Sequence, residues 1–209
     1  MTNRFRKSES DGYSAPPLSF FGNFPLAGFD QSQTSYFEPS AVNSRLLALF
    51  KKSPQKVIRG DVLKFVAGTE HWAARIRDLR NNSGWLILCG LTVTEMVNER
   101  EFQLEETEIS TARSNDYVLV SNEQDRLAVY RWRLAKQIRR ESEGSICNNI
   151  LRFLKDNAGI PVSGEELRYI AGGKTGWLGR IRELRNQGCQ ILTQRNERPD
   201  LPLGMFLMQ

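Results

Sequence analysis

Residues 72–84 read WAARIRDLRNNSG, and residues 177–188 read WLGRIRELRNQG. The frame W-x-x-R-I-R-[DE]-L-R-N is common to both. Each stretch has the apolar period of a helix of about three turns. At about 100° per residue, Trp72, Ile76 and Leu79 fall in one arc, as do Trp177, Ile181 and Leu184. Arg77 and Arg182 point well away from that arc. Arg80 and Arg185 lie on one border of it, Arg75 and Arg180 on the other. An apolar spine with arginines off it predicts a helix packed on a small core and offered to a polyanion. Trp72 and Trp177 read as the anchors of that core.

The likeness extends beyond these helices. Before the first copy, Val42, Leu46, Leu47, Leu49 and Phe50 predict a helix closed by Lys51, Lys52 and Ser53-Pro54. Val57-Ile58 form a short extended link. Asp61 to Ala67 predict a second helix stopped by Gly68, and Thr69 is placed to cap the third. Gly84 ends that third helix, Leu86 to Leu88 read as a strand, and Tyr117 to Val120 as its partner. In the second half, Ile150, Leu151, Phe153 and Leu154 match the first helix. Gly164, Leu167, Ala171 and Gly172 align with Gly60, Leu63, Ala67 and Gly68, and Thr175 aligns with Thr69. Gly188, Ile191 and Leu192 match Gly84, Ile87 and Leu88, and a short loop, Arg195 to Pro202, leads to a last strand at Met205 to Met208. One residue is inserted before Trp177 and one deleted before Gly188. Agreement along the whole unit indicates duplication.

Three segments lie outside the repeat. Residues 1–41 are rich in Ser, Gly, Pro, Asn and Gln and carry spaced aromatics: Phe20, Phe21, Phe24, Phe29, Tyr36 and Phe37. They read either as a disordered leader or as a segment that docks its aromatics on a partner or on the folded body, and both readings stay open. Residues 121–145 predict one connecting helix, capped by Ser121 or Asn122 and ending in Arg139 and Arg140. Leu127, Tyr130, Leu134 and Ile138 line its packed face, with Arg131, Arg133 and Lys136 elsewhere. The insertion at about residues 94–116, between the first two strands, is acidic.

Composition bounds the chemistry. The 209 residues carry 29 Lys+Arg against 24 Asp+Glu, a net charge of +5 with a pI near 9.3. That mild excess is unevenly placed. Residues 42–93 hold nine basic residues against three acids, whereas residues 94–120 hold two against seven. A basic helical body therefore adjoins an acidic insertion that is repelled by phosphate and free to shield its own unit or to receive a partner. Cys89, Cys147 and Cys189 are an odd count without metal-ligand spacing, as expected of free thiols in a cytoplasmic protein. No run of about 18 apolar residues predicts a membrane span, and no apolar stretch follows the N-terminal basic residues as in a secretory signal.

Three helices followed by a two-stranded hairpin is the order of a winged helix, whose second and third helices form a helix-turn-helix and whose hairpin is the wing. The expected fold is α+β and mainly helical. A leader (1–41) precedes winged-helix domain 1 (42–120), a connecting helix (121–145) and winged-helix domain 2 (146–209). The second copy supplies Ser163, Glu166, Leu167, Trp177, Arg180, Ile181, Arg182, Glu183, Leu184, Arg185 and Gly188, then Asp200, Leu201, Gly204, Phe206 and Met208. On these residues each unit resembles the winged-helix module that accompanies the catalytic domain of bacterial HNH-type restriction endonucleases. The resemblance implies a recognition role in a restriction–modification setting. An HNH site needs a metal-bound histidine and a second histidine as general base, and this chain has one histidine, His71. No P-loop, nucleophile elbow or paired-cysteine zinc motif is present. The expectation is a non-enzymatic protein with no catalytic residues, metal or cofactor, whose cleaving partner is another chain.

Double-stranded DNA is the expected ligand. Arg77, Asn81, Arg182 and Asn186 are candidates for base edges, and Arg80, Arg185, Lys174, Arg195 and Arg198 for phosphates. Arg75 and Arg180 have i,i+3 spacing to Asp78 and Glu183, so carboxylate pairing and DNA contact both stay open for them. Thr175, at the entrance to the second repeated helix, completes the set. A nuclease or other protein chain is an expected partner through residues 1–41 or the acidic insertion; a membrane is not. A sequence-specific transcription regulator and a protein–protein adaptor are the two other classes compatible with the same fold.

Overall fold

In a computed structural model the described residues are 40–101, 112–141, 144–195 and 198–209. The leader's candidate docking aromatics and the Glu105, Glu106 and Glu108 part of the insertion lie outside them. The fold is α+β, with eight helices and two small sheets among the described residues.

The first repeat opens with α1 (Ala41–Lys52). The Ser40 side chain caps it by accepting from the Asn43 amide at 3.3 Å, and Lys51 and Lys52 sit in its last turn, where the helix dipole favours cations. Asn43, Leu46 and Phe50, three and four residues apart, form its buried stripe. Ile58 then makes one antiparallel bridge to Tyr117 before α2 (Gly60–Ala67). Arg45 of α1 closes the end of α2, donating to the Val66 carbonyl at 3.1 Å and the Ala67 carbonyl at 2.7 Å. Next come α3 (Trp72–Asn81), β1 (Trp85–Cys89), α4 (Gly90–Asn98) and β2 (Tyr117–Gln124). β1 and β2 pair antiparallel, with an irregularity between Trp85 and Ile87.

α5 (Ala128–Arg140) leads to the second repeat: α6 (Ile146–Asp156), β3 (Val162–Ser163), α7 (Gly164–Ile170), α8 (Trp177–Asn186), β4 (Ile191–Thr193) and β5 (Met205–Met208). β5 lies between β3 and β4, all antiparallel. The pairing of Val162 with Phe206 is the counterpart of the Ile58–Tyr117 bridge. The two repeats thus share one order of elements, with α4 as an extra helix in the first hairpin.

Four local expectations are corrected. Residues 121–124 belong to β2, because Gln124 pairs with Trp85, so the connecting helix starts at Ala128. That helix turns Ala128, Arg131, Trp132, Ala135 and Ile138 inward and leaves Tyr130 50% exposed; Arg131 is buried because two carboxylates meet it. Thr69 and Thr175 are not N-caps: the caps are His71 and Gly176, and the Thr69 hydroxyl accepts from the His71 amide in the turn ahead of α3. Trp177 anchors its core at 1% exposure, but Trp72 is half-buried, edge-on to Tyr117 at 6.0 Å.

Side chains alternate across a strand, and the β1–β2 hairpin uses both of its faces. Ile87 and Leu119 join Leu46, Phe50, Leu63, Ile76 and Leu79 in the core of the first repeat. Leu88, Val118 and Val120 turn the other way, into a second core with Ile150, Phe153, Trp177, Ile181 and Phe206. Val93 and Met96 of α4 and Ala135 and Ile138 of α5 complete that second core. The described residues therefore fall in one compact unit.

Candidate nucleic-acid interface

The six arginines of the repeated frame have very different surroundings. On α3, Arg75 Nη1 lies 3.1 Å from Asp78 Oδ2, an i,i+3 pair along the helix. Arg77 is exposed, and no described carboxylate comes within ion-pair distance of it. Arg80 turns inward: its Nη1 is 2.9 Å from Glu165 Oε1, off the hydrogen-bond line, and its guanidinium lies 5.3 Å from the centre of the Trp132 ring. Arg80 Nε also donates to Oδ1 of the half-buried Asn81 at 3.3 Å, so that side-chain oxygen already has a donor.

On α8 the equivalents are all paired. Arg180 binds Glu183 within the helix, which raises the guanidinium's pKa and lowers the carboxyl's. Arg182 Nη1 lies 3.1 Å from Glu99 Oε2. Arg185 pairs with Glu101 and donates from Nε to the Ile191 carbonyl at 2.9 Å. Asn186 is exposed, as are Lys174 and Thr175 ahead of the helix and Arg195 after β4. Arg198 is held by both oxygens of Asp200, at 2.8 and 2.7 Å, which raises the pKa of Arg198 and lowers that of Asp200.

Three carboxylates of the acidic insertion reach the second repeat. Glu95 accepts from the Trp177 indole at 2.8 Å and lies 3.5 Å from Arg168 Nε. Glu99 meets Arg182, and Glu101 accepts from both Arg185 and the Thr193 hydroxyl. Glu95, Glu99 and Glu101 thus face basic residues of the other repeat, an arrangement different from both expectations for the insertion, the shielding of its own unit and the receipt of a separate partner. The remaining described acid of the insertion, Asp116, is buried and accepts from the Gly60 and Arg113 amides.

Two carboxylates at the start of α7 were not singled out as a pair by sequence. Glu165 accepts from the Cys89 amide at 3.0 Å and the Thr92 hydroxyl at 2.7 Å, besides facing Arg80. Glu166 forms a capping box with Ser163 and binds Arg131 at 3.0 Å. Burial pushes Glu166 above the usual carboxyl range, and Arg131 opposes that shift. Burial acts against the charge of Arg131, but Glu166 and Asp125 outweigh it and its pKa is raised. A signal was available: the first repeat has Asp61-Val62 where the second has Glu165-Glu166, so one added charge had to find a partner.

Among the described residues no group of three or more His, Cys, Asp or Glu is placed to hold a metal ion, and no helix is long and apolar enough to cross a membrane. Residues 43–120 and 148–209 match a family model described as the KpnI N-terminal domain. No curated protein and no solved structure matches the chain.

Proposed function

The chain belongs to the KpnI N-terminal domain family, a restriction-endonuclease-associated family, and on that premise we propose that it binds double-stranded DNA as the recognition component of a restriction–modification type system. Each repeat is read as a winged helix. The order α1, Ile58 bridge, α2, α3, β1, β2 and the order α6, β3, α7, α8, β4, β5 both support that reading. Cleavage is assigned to a partner chain and not to this one.

The observation that carries the proposal is Arg77. It lies at the middle of α3, exposed on the side away from Ile76 and Leu79, and free of described carboxylates. An arginine there can bond a guanine edge through two donors. The second helix contributes Asn186 directly and Arg182 once it parts from Glu99. Lys174, Arg195 and the backbone around Thr175 serve phosphates. Arg80 and Arg185 are assigned to scaffolding instead.

The test is a selection on random duplexes, with and without methylated bases, followed by titration of the enriched duplex over a range of salt. A preferred sequence whose affinity falls with salt supports the proposal. Absence of duplex binding at low salt overturns it.

One observation favours a second reading, a protein–protein adaptor. Phe65 on α2 is 86% exposed beside the exposed Val62. Its counterpart Tyr169 on α7 is covered by α5, edge-on to Trp132 at 5.4 Å and under Arg139 at 4.6 Å. Phe65→Ser distinguishes the readings: an adaptor loses its partner, whereas DNA affinity stays.

A further inference from the structure

The connecting helix has no part in the reading above, yet it carries three exposed cations that form no ion pair among the described residues, although Arg140 lies in the last turn and helps to lower the pKa of Glu141. α5 spans Ala128–Arg140, and its inward stripe is Ala128, Arg131, Trp132, Ala135 and Ile138. On the opposite side, at helical spacing i, i+3 and i+7, lie Arg133, Lys136 and Arg140, all exposed. None of the three forms an ion pair among the described residues. Glu141, just beyond the helix, is engaged by Gln137 at 2.8 Å and Arg152 at 2.9 Å. The two other basic residues of α5 are already committed: Arg131 to Glu166 and Asp125, and Arg139 to the Tyr169 ring.

The contrast with the repeated helices decides the matter. Five of their six arginines face a carboxylate, whereas the free charge of this region is concentrated on α5. We propose that the outward face of α5, through Arg133, Lys136 and Arg140, is a contact surface for the phosphate backbone of duplex DNA. This rests on the DNA-binding reading given above.

Three physical points favour that ligand. Arg133 and Arg140 are about 10 Å apart along the axis, at about 1.5 Å per residue, with Lys136 between them, so the row spans several phosphates of one strand. The face is presented on a fixed support: Trp132 is buried under Arg80, and Arg131 is tied to Glu166, so little ordering is needed on binding. A membrane-surface helix needs an apolar face to insert, and the apolar face of α5 is consumed in the core. Tyr130, half exposed at the N-terminal end of the same side, adds a ring beside the row, suited to sugar or backbone contact.

The test is the triple substitution Arg133→Gln, Lys136→Gln, Arg140→Gln in the full chain. Measurements are the melting temperature, the slope of log K against log salt on the selected duplex and on a random one, and co-sedimentation with phosphatidylserine vesicles. The expected result is an unchanged melting temperature and a salt slope shallower by roughly 2.7, at about 0.9 per lost phosphate contact. Affinity for selected and random duplexes falls together, so base preference is kept. Arg133→Lys with Arg140→Lys retains the wild-type slope. An unchanged slope in a triple variant whose parent binds DNA overturns this inference and leaves the DNA-binding reading intact. So does a loss of vesicle binding with DNA affinity untouched. A parent that binds no duplex overturns both.

Discussion

Arg80 and Arg185 occupy the same place in the repeated frame, and each is held by a carboxylate of the other repeat. Arg80 Nη1 lies 2.9 Å from Glu165 Oε1, and Arg185 pairs with Glu101. The pairs are reciprocal: the first repeat sends an arginine to α7, and the second sends one to the segment after α4. Residues written for a basic face thereby become braces between the two halves.

The first prediction concerns that brace. Arg80→Ala leaves Glu165 buried with neutral donors only, the Cys89 amide and the Thr92 hydroxyl. Removing one partner of a buried pair costs about 3–5 kcal/mol. For a body of this size that is a fall in melting temperature of roughly 10 °C. Arg80→Met combined with Glu165→Leu recovers most of the loss, since the desolvated charges leave together. Urea denaturation of the single and double variants gives the comparison. A single variant as stable as its parent would mean that solvent already screens the pair.

The second prediction separates the two outward arginines. Arg77→Ala lowers affinity for the selected duplex by about 1–3 kcal/mol and relaxes preference at one base pair, with the melting temperature unchanged. Arg182→Ala has a smaller effect, because its guanidinium must first leave Glu99. Equal losses at the two positions would show that the Glu99 contact does not restrain Arg182.

The third prediction follows from the same contact. Glu99→Gln frees Arg182 and removes a charge that repels phosphate, so DNA affinity rises, most visibly at low salt. Anisotropy titrations of parent and variant read the difference, and a fall in affinity would place Glu99 among the groups that hold the ligand. The pair is largely exposed, so stability changes little.

Much of this architecture was legible because it is local. The 3.6-residue period of Trp177, Ile181 and Leu184 and the matching glycines marked the helices and hairpins of both repeats. Residues 121–124 misled for a local reason as well. Ser121, Asn122 and Glu123 look like the start of a helix, but pairing of Gln124 with Trp85 keeps the chain extended. Val93, Met96 and Val97, at i, i+3 and i+4, form the apolar face of α4 within a segment whose other side is acidic. The partners of Arg80, Arg182 and Arg185 lay beyond reach for another reason: each is roughly eighty residues away in sequence, and no periodicity encodes which of many acids it will meet.

Two equivalent glycines give the fourth prediction. Gly84 (φ +72°) and Gly188 (φ +92°) both follow a repeated helix in the left-handed region. A Cβ on Gly84 would lie 2.1 Å from the Asp125 carbonyl oxygen, whereas one on Gly188 would meet nothing within 4 Å. Gly188→Ala therefore costs only backbone strain, about 1 kcal/mol. Gly84→Ala adds displacement of the β2–α5 junction and costs about 3 kcal/mol or more. Equal losses in denaturation would mean that the junction yields freely.

The fifth prediction is chemical. Burial pushes the Cys89 thiol up, and the Glu165 carboxylate adds to the shift. In the native chain a maleimide labels Cys147 and Cys189 at mildly alkaline pH while Cys89 reacts only after denaturation. The folded state holds the Cys89 proton after the unfolded state has released it. Stability from this group is therefore complete below the ordinary thiol value of about 8.5 and declines as pH rises past it. Mass spectrometry of the labelled peptides settles the order, and early labelling of Cys89 would contradict the buried environment.

The β1–β2 hairpin has a hydrophobic lining on both sides, and neither lining belongs to a repeat that could give it up. The two repeats of this chain are joined through that hairpin into one unit. Severing the chain after β2 strips the second half of Leu88, Val118 and Val120, and leaves the first half with those same residues facing water. Denaturation followed by tryptophan fluorescence is accordingly expected to give one transition and not two, and neither half is expected to persist as an autonomous fragment. Duplication supplied two copies of one plan; the shared sheet made them mutually indispensable.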